Sequence, residues 1–396
     1  MLDDWPLLPI VVSSDGYKNW GKGNIIGALK HNDRICEVDV CDIPKSILED
    51  VLVVMLRPFP ELTRLRLRRI DRIAPAIPAT ILGGSAPRLQ SLLLDNIPFP
   101  GLPELLLSTT HLVSLRYWNV AASSSGLAGY SFGYIATEEM VTCLSMLTRL
   151  ERLEIGFSFY ASDQRPSPQP RTALPVLTEL RFHGLVSYLE DFVAQIDAPL
   201  LKKLTTTFII KRPASIAALQ LGELAHFISR TPQFRTHNEA RVAFSGDGVS
   251  VTLPQMFHGT LHTGLSCFFD LLLSLGELCK SLLLQALIPM VEHLYICDDG
   301  SWYGQAADEK SQWLELLHQF TAMKDLYISN ELLPRIAPAL QELVREGVTE
   351  VLPALQTLFL EETVSSSLVQ ETIWQFVAAR QLAGFPVTIS GWERKY

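Results

Sequence analysis

A short phrase, apolar-x-x-apolar-x-apolar, recurs along the chain, and each copy alternates enough to predict a strand. The first series is Ile35/Val38/Val40, Leu62/Leu65/Leu67, Leu89/Leu92/Leu94, Leu112/Leu115/Tyr117, Leu150/Leu153/Ile155, Leu177/Leu180/Phe182 and Leu201/Leu204/Thr206. A second series follows: Val291/Leu294/Ile296, Met323/Leu326/Ile328 and Leu355/Leu358/Leu360. Between their middle residues the intervals are 27, 27, 23, 38, 27 and 24, then 32 and 32. Apolar residues at helical spacing predict helices between the phrases, for example over 47–56, 140–147, 188–196, 221–228, 313–320 and 373–379. Each unit therefore reads strand, turn, helix, return. A unit of this kind cannot bury its own apolar edge, whereas stacked neighbours merge those edges into one interior. The pattern predicts an α/β leucine-rich-repeat solenoid with irregular repeats of about 23–38 residues, a curved parallel sheet on its concave face and helices on its convex face.

The array is uneven. Residues 1–33 show no repeat and read as an N-terminal cap or remnant linker; 34–207 hold the N-terminal repeats and 290–396 the C-terminal repeats and cap. The stretch 208–289 reads as irregular repeats with a hairpin, 241–244 against 249–253, joined by the turn signal Ser245-Gly246-Asp247-Gly248. The run from Ser162 to Pro170 reads as an exposed loop, and Pro386 to Trp392 as a last strand.

If the apolar phrase residues point inward, the residues between and just after them line the open face of the sheet. In the first series these include Arg64, Arg66, Arg68, Arg116, Trp118, Arg152, Arg181, His183 and Lys203. An Arg-rich strip has two readings: solvated charge that keeps a sheet soluble, or a site for a carboxylate-rich or phosphorylated partner. In the second series the central position is Tyr295, then Tyr327, then Phe359. Those rings either stiffen the sheet as a ladder or form a hot spot for a peptide or protein.

Composition narrows the partners. The chain has 396 residues, 48% hydrophobic and 19% charged, with a formal charge of −9. It has ample apolar surface to bury and must fold. The acidic balance argues against nucleic acid, which needs a basic face. The longest apolar stretch, Cys267 to Ile288, is broken by Asp270, Glu277, Lys280 and Gln285, so no membrane span is expected. The N-terminus lacks the basic and apolar regions of a secretory signal. Six cysteines form no CxxC pair and read as reduced residues of a cytoplasmic or nuclear protein.

Motifs that invite chemistry are weak. Gly129-Tyr130-Ser131-Phe132-Gly133 matches G-x-S-x-G, but a small-residue loop stands where a hydrolase needs a buried strand. Asn19 to Gly27 lacks phosphate-loop spacing. His258, His262 and Cys267 lack the helix and the glutamate of a zinc site. Asp298-Asp299 at a strand end reads as a turn. No catalytic residue, metal or cofactor is predicted; a serine hydrolase using Ser131 is the enzyme alternative, and a structural repeat protein without a dedicated ligand is a third reading.

Several stretches carry a resemblance: Leu7-Leu8-Pro9-Ile10-Val11, the run from Asn24 to Cys36, Trp313-Leu314-Glu315-Leu316-Leu317, the run from Arg335 to Leu358, and Phe376-Val377-Ala378-Ala379-Arg380-Gln381-Leu382. Over nearly its whole length the chain resembles the leucine-rich F-box-type proteins of mushroom-forming fungi. The resemblance implies a non-catalytic scaffold like the substrate-binding arm of a ubiquitin ligase receptor. Family members typically begin with an F-box, a helical module that docks the Skp adaptor of a cullin ligase. No such module is read in residues 1–33, so association with Skp adaptor and cullin is expected only if an F-box is supplied. The expected partner is a protein or peptide on the concave face, held by Arg64, Arg66, Arg68, Arg116, Trp118, Arg181, Tyr295, Tyr327 and Phe359.

Overall fold

The computed structural model describes residues 8–15, 22–42, 44–69, 75–119, 134–157, 171–209, 222–234, 239–245, 248–254, 260–266, 291–298, 309–346, 351–361 and 367–393. The chain forms two compact units, Met1–Leu201 and Lys202–Tyr396.

In the first unit the strands are β1 (Ile10–Asp15), β2 (Ile35–Cys41), β3 (Arg64–Arg68), β4 (Ser91–Asp95), β5 (Ser114–Asn119), β6 (Arg152–Phe157) and, after the short β7 (Thr172–Ala173), β8 (Glu179–Gly184). Apart from β7 they pair in chain order, every neighbour parallel. Helices α1 (Lys22–Leu29), α2 (Lys45–Val54), α3 (Leu102–Ser108), α4 (Thr137–Ser145) and α5 (Val186–Ala194) fall between strands. A two-residue strand, β9 (Ile196–Asp197), pairs with β7.

Register explains why the phrases are apolar. Val38, Leu65, Leu92, Leu115, Leu153 and Leu180 lie side by side, as do Val40, Leu67, Leu94, Tyr117, Ile155 and Phe182, and all are buried. Strands spaced about 4.8 Å apart place these side chains in unbroken rows. Helical residues such as Leu48, Val51, Leu105, Leu144 and Leu189 are buried with them. Tyr117 is the one phrase residue of these rows with a hydroxyl; it accepts a hydrogen bond from the Phe99 N–H at 3.2 Å, and burial pushes its pKa up to about 12. Further along, the interior turns aromatic: Phe157 meets Tyr117 at 5.6 Å and Tyr188 at 4.9 Å, and Tyr188 stacks on Phe182 at 5.9 Å.

Residues 1–33, in which the sequence shows no repeat, carry β1 and α1, and β1 pairs in parallel with β2. The apolar phrase is disguised there because Ser13 and Ser14 occupy strand positions and Ser14 is buried.

The second unit contains β10 (Lys203–Ile209), α6 (Gly222–Arg230), β11 (Glu239–Ser245), β12 (Gly248–Pro254), β13 (Thr260–Ser266), β14 (His293–Asp298), α7 (Glu309–Leu317), β15 (Asp325–Ile328), α8 (Leu333–Glu346), β16 (Thr357–Glu361), α9 (Ser367–Leu382) and β17 (Thr388–Trp392). The hairpin expected from the Ser245–Gly248 turn signal is the antiparallel pair β11–β12. A third strand, β13, pairs antiparallel with β12 and parallel with β10, so two reversed pairings interrupt the parallel order. From β11 through β14, β15 and β16 to β17 every pairing is parallel. The boundary between units falls before β10, whose phrase the sequence groups with the first series. Among the described residues, no helix is long and apolar enough to cross a membrane.

Candidate functional site

On the other side of each strand, residues alternate with the buried rows and are mostly half-exposed. In the first unit one such row runs Asp39, Arg66, Leu93, Arg116, Glu154, Arg181, and the row beside it Glu37, Arg64, Ser91, Ser114, Arg152, Glu179. The arginines thus stand among carboxylates. Arg64 pairs with Glu37 at 3.4 Å, Arg66 with Asp39 at 3.5 Å, and Arg68 with Asp95 at 3.8 Å. Arg116 reaches Asp95 at 3.4 Å and Glu154 at 3.6 Å, while Arg181 Nε donates to Glu179 at 2.7 Å. The face is a lattice of alternating charge rather than a basic strip. Each half-exposed pair is worth about 0.2–1 kcal/mol.

Burial acts against ionisation at its centre. Desolvation raises the pKa of Asp95 although Arg116 and Arg68 pull it down, and it raises that of Glu154 against Arg116 and Arg181. The Cys41 thiol is pushed up to about 11, first by burial and then by its hydrogen bond to Asp39 at 3.1 Å. A thiol held so high is not a nucleophile at neutral pH.

A third row carries Cys41, Arg68, Asp95, Trp118, Gly156 and His183. The Trp118 indole extends over the next strand, where glycine leaves room: a Cβ at Gly156 would stand 2.7 Å from the indole Cδ1. The His183 ring lies 5.3 Å beyond, and the Arg116 guanidinium sits 4.8 Å from the indole centroid. Arg116 and Trp118, two apart on one strand, thus join a ring cluster with His183, whose pKa burial lowers. Beside it a recess of about 330 Å³ opens over β4, β5, β6 and β8, floored by Ser91, Leu93 and Ser114.

In the second unit the three expected aromatic positions form a stack. Tyr295 lies 4.0 Å from Tyr327, and Tyr327 4.2 Å from Phe359, the rings nearly parallel. Trp392 of β17 crosses this stack edge-on, 6.0 Å from Tyr295 and 5.6 Å from Tyr327, its Nε1–H donating to the Ile328 carbonyl at 3.3 Å. The ladder is therefore partly covered by the chain's own C-terminal strand. Beside it His293 Nδ1 meets Asp325 Oδ2 at 2.8 Å, and Lys324 donates to Glu292 at 2.7 Å.

Arg64, Arg66, Arg68, Arg116, Trp118 and Arg181 stand on outward rows of the first unit, Tyr295, Tyr327 and Phe359 on one of the second, and Lys203, grouped with the first series, opens β10 of the second unit. The sequence reading missed the carboxylate partners Glu37, Asp39, Asp95, Glu154 and Glu179, the glycine beneath Trp118, and the role of Trp392. The signal for the carboxylates was available: they occupy the same phrase positions as the arginines, one repeat away. Ser131, His258, Cys267 and Asp299 lie outside the described residues, as do Gly21 and the loop from Ser162 to Pro170; His262 is on β13. Among the described residues no group of three or more His, Cys, Asp or Glu could hold a metal ion, and Cys36, Cys41 and Cys143 form no disulfide. No family model and no curated protein matches the chain.

Proposed function

We propose that the chain is a leucine-rich-repeat solenoid that acts as a non-catalytic recognition scaffold, holding a protein or peptide against the outward rows of its strands. The observation that carries this is the cluster of Arg116, Trp118 and His183 beside an open recess on a regular sheet. Trp and Arg dominate binding hot spots because they present large contact area with few rotamers to freeze. The resemblance to fungal F-box-type proteins adds a biological setting, the substrate-receptor arm of a ubiquitin ligase in cytoplasm or nucleus. Skp adaptor and cullin would join through an F-box supplied by the same or another chain.

A second reading has an observation of its own. The arginines named as contacts are engaged by carboxylates and the aromatic stack is partly covered by Trp392, which suits a sheet that stabilises itself without a ligand. Affinity purification of the full chain from fungal cells, in parallel with Trp118→Ala, separates the two. The recognition reading expects a protein that co-elutes with the wild type and is lost with the variant while unfolding stays cooperative. Identical eluates would leave the self-stabilising sheet. Skp adaptor in both eluates would support the ligase setting.

A further inference from the structure

One arginine of the first unit's lattice stands apart. Arg152 opens β6, is exposed, and among the described residues its guanidinium makes no ion pair or hydrogen bond, while its neighbours in the lattice are engaged. The cross-strand register places it between Ser114 and Glu179, whose carboxylate is bonded to Arg181, and Ser114 beside Ser91, so one arginine and two hydroxyls follow each other at steps of about 4.8 Å. Among the described residues neither hydroxyl has a hydrogen-bond partner. All three side chains line the recess of about 330 Å³.

Charge selects the ligand. The recess is lined by three arginines, Arg116, Arg152 and Arg181, and two glutamates, Glu154 and Glu179, an excess of one positive charge. Arg116 is shared between Asp95 and Glu154, and Arg181 is bonded to Glu179, which leaves the Arg152 fork as the donor with no commitment. A guanidinium fork matches a carboxylate with two parallel hydrogen bonds, and serine hydroxyls donate to the same oxygens. A single negative charge balances the lining; a phosphomonoester, with about twice that charge, would set its excess against Glu154 and Glu179.

We infer that this recess is the subsite for one acidic side chain, an Asp or Glu carboxylate, of an extended peptide segment in a protein partner, bound by Arg152, Ser91 and Ser114. The inference rests on the recognition reading proposed above. Leu93, half-exposed on the floor, offers the apolar surface against which the stem of that side chain lies.

The test starts with display of random short peptides on the full chain, followed by synthesis of the best binder in three forms: with Glu, Gln or phosphoserine at its acidic position. Fluorescence anisotropy then reads affinity for wild type and for Arg152→Gln. The Gln peptide should bind wild type about tenfold more weakly than the Glu peptide, and Arg152→Gln should lose about tenfold for the Glu peptide but little more for Gln. The phosphoserine peptide should bind no tighter than the Glu form. Because Arg152 is exposed and unpaired, the variant should unfold at the wild-type temperature. Selected peptides with no acidic position, affinity indifferent to Arg152, or tighter binding of phosphoserine would each overturn the subsite while leaving the recognition reading in place. Failure to select any peptide would contradict both.

Discussion

Trp118 can lie across the neighbouring strand because residue 156 is glycine: the indole Cδ1 stands 2.7 Å from where a Cβ would be. Gly156→Ala should push the indole off its seat, away from His183, and cost about 1–3 kcal/mol in urea unfolding. In a Trp118→Ala background the same substitution should cost far less, since the clash is gone. Equal costs in both backgrounds would show that the glycine matters for another reason.

The stacked rings of the second unit form a structural unit. Tyr327 has a ring on each face and Trp392 at its edge. Aromatic pairs contribute about 0.5–1.5 kcal/mol each beyond area burial, so Tyr327→Leu should destabilise by about 1–3 kcal/mol. Tyr327→Phe keeps every ring contact and should cost clearly less than Tyr327→Leu. Comparable losses in both variants would place the contribution in the hydroxyl instead.

These two features mark the limit of what the sequence displays. Strand positions were legible because Val38, Leu65, Leu92 and their successors recur in one phrase, and period-2 alternation assigns faces without any knowledge of neighbours. Pairing between strands was legible wherever repeats follow one another, as in the Tyr295, Tyr327, Phe359 stack. How far a side chain leans over its neighbours was not. Trp118 extends over Gly156 of β6 towards His183, and Trp392 of β17 reaches Tyr295 on β14, contacts that no local pattern encodes. The charge lattice was missed because the arginines were read along each strand and the carboxylates one repeat away were not set beside them. Helix α8 forms in the expected place between two phrases although Pro338 lies inside it: Leu333, Ile336, Leu340 and Leu343 follow helical spacing, and their burial overrides the breaker signal.

Arg380 is fully buried on α9, where it donates to the carbonyls of Leu352 at 3.1 Å and Leu355 at 3.2 Å. Its planar fork satisfies two carbonyls just before β16, while desolvation lowers its pKa. Arg380→Lys places a single ammonium where two directions are needed, and should destabilise by about 2–4 kcal/mol. Chemical unfolding of the variant reads this directly; a loss under about 0.5 kcal/mol would show that lysine or water replaces the fork.

Burial lowers the pKa of His183 in the folded protein, so the unfolded chain binds a proton first as pH falls. Its contribution to stability is therefore present above the unfolded imidazole value of about 6.5 and is lost as pH drops below it. Asp95 and Glu154 have the opposite sign: with raised folded pKa, their proton-linked stabilisation is present in acid and is lost as pH rises through those values. Stability measured between about pH 7 and 5 should therefore fall more steeply for wild type than for His183→Gln. Parallel slopes would mean that the His183 imidazole titrates as freely as in the unfolded chain.

The central claim is that the outward rows of the strands are a recognition surface. A photo-crosslinking amino acid at Leu93, on the floor of the recess, should capture one predominant partner protein in cells. The same amino acid at Val53, on α2 and 66% exposed, should not capture it. Capture of that protein from both positions, or from Val53 alone, would contradict the claim.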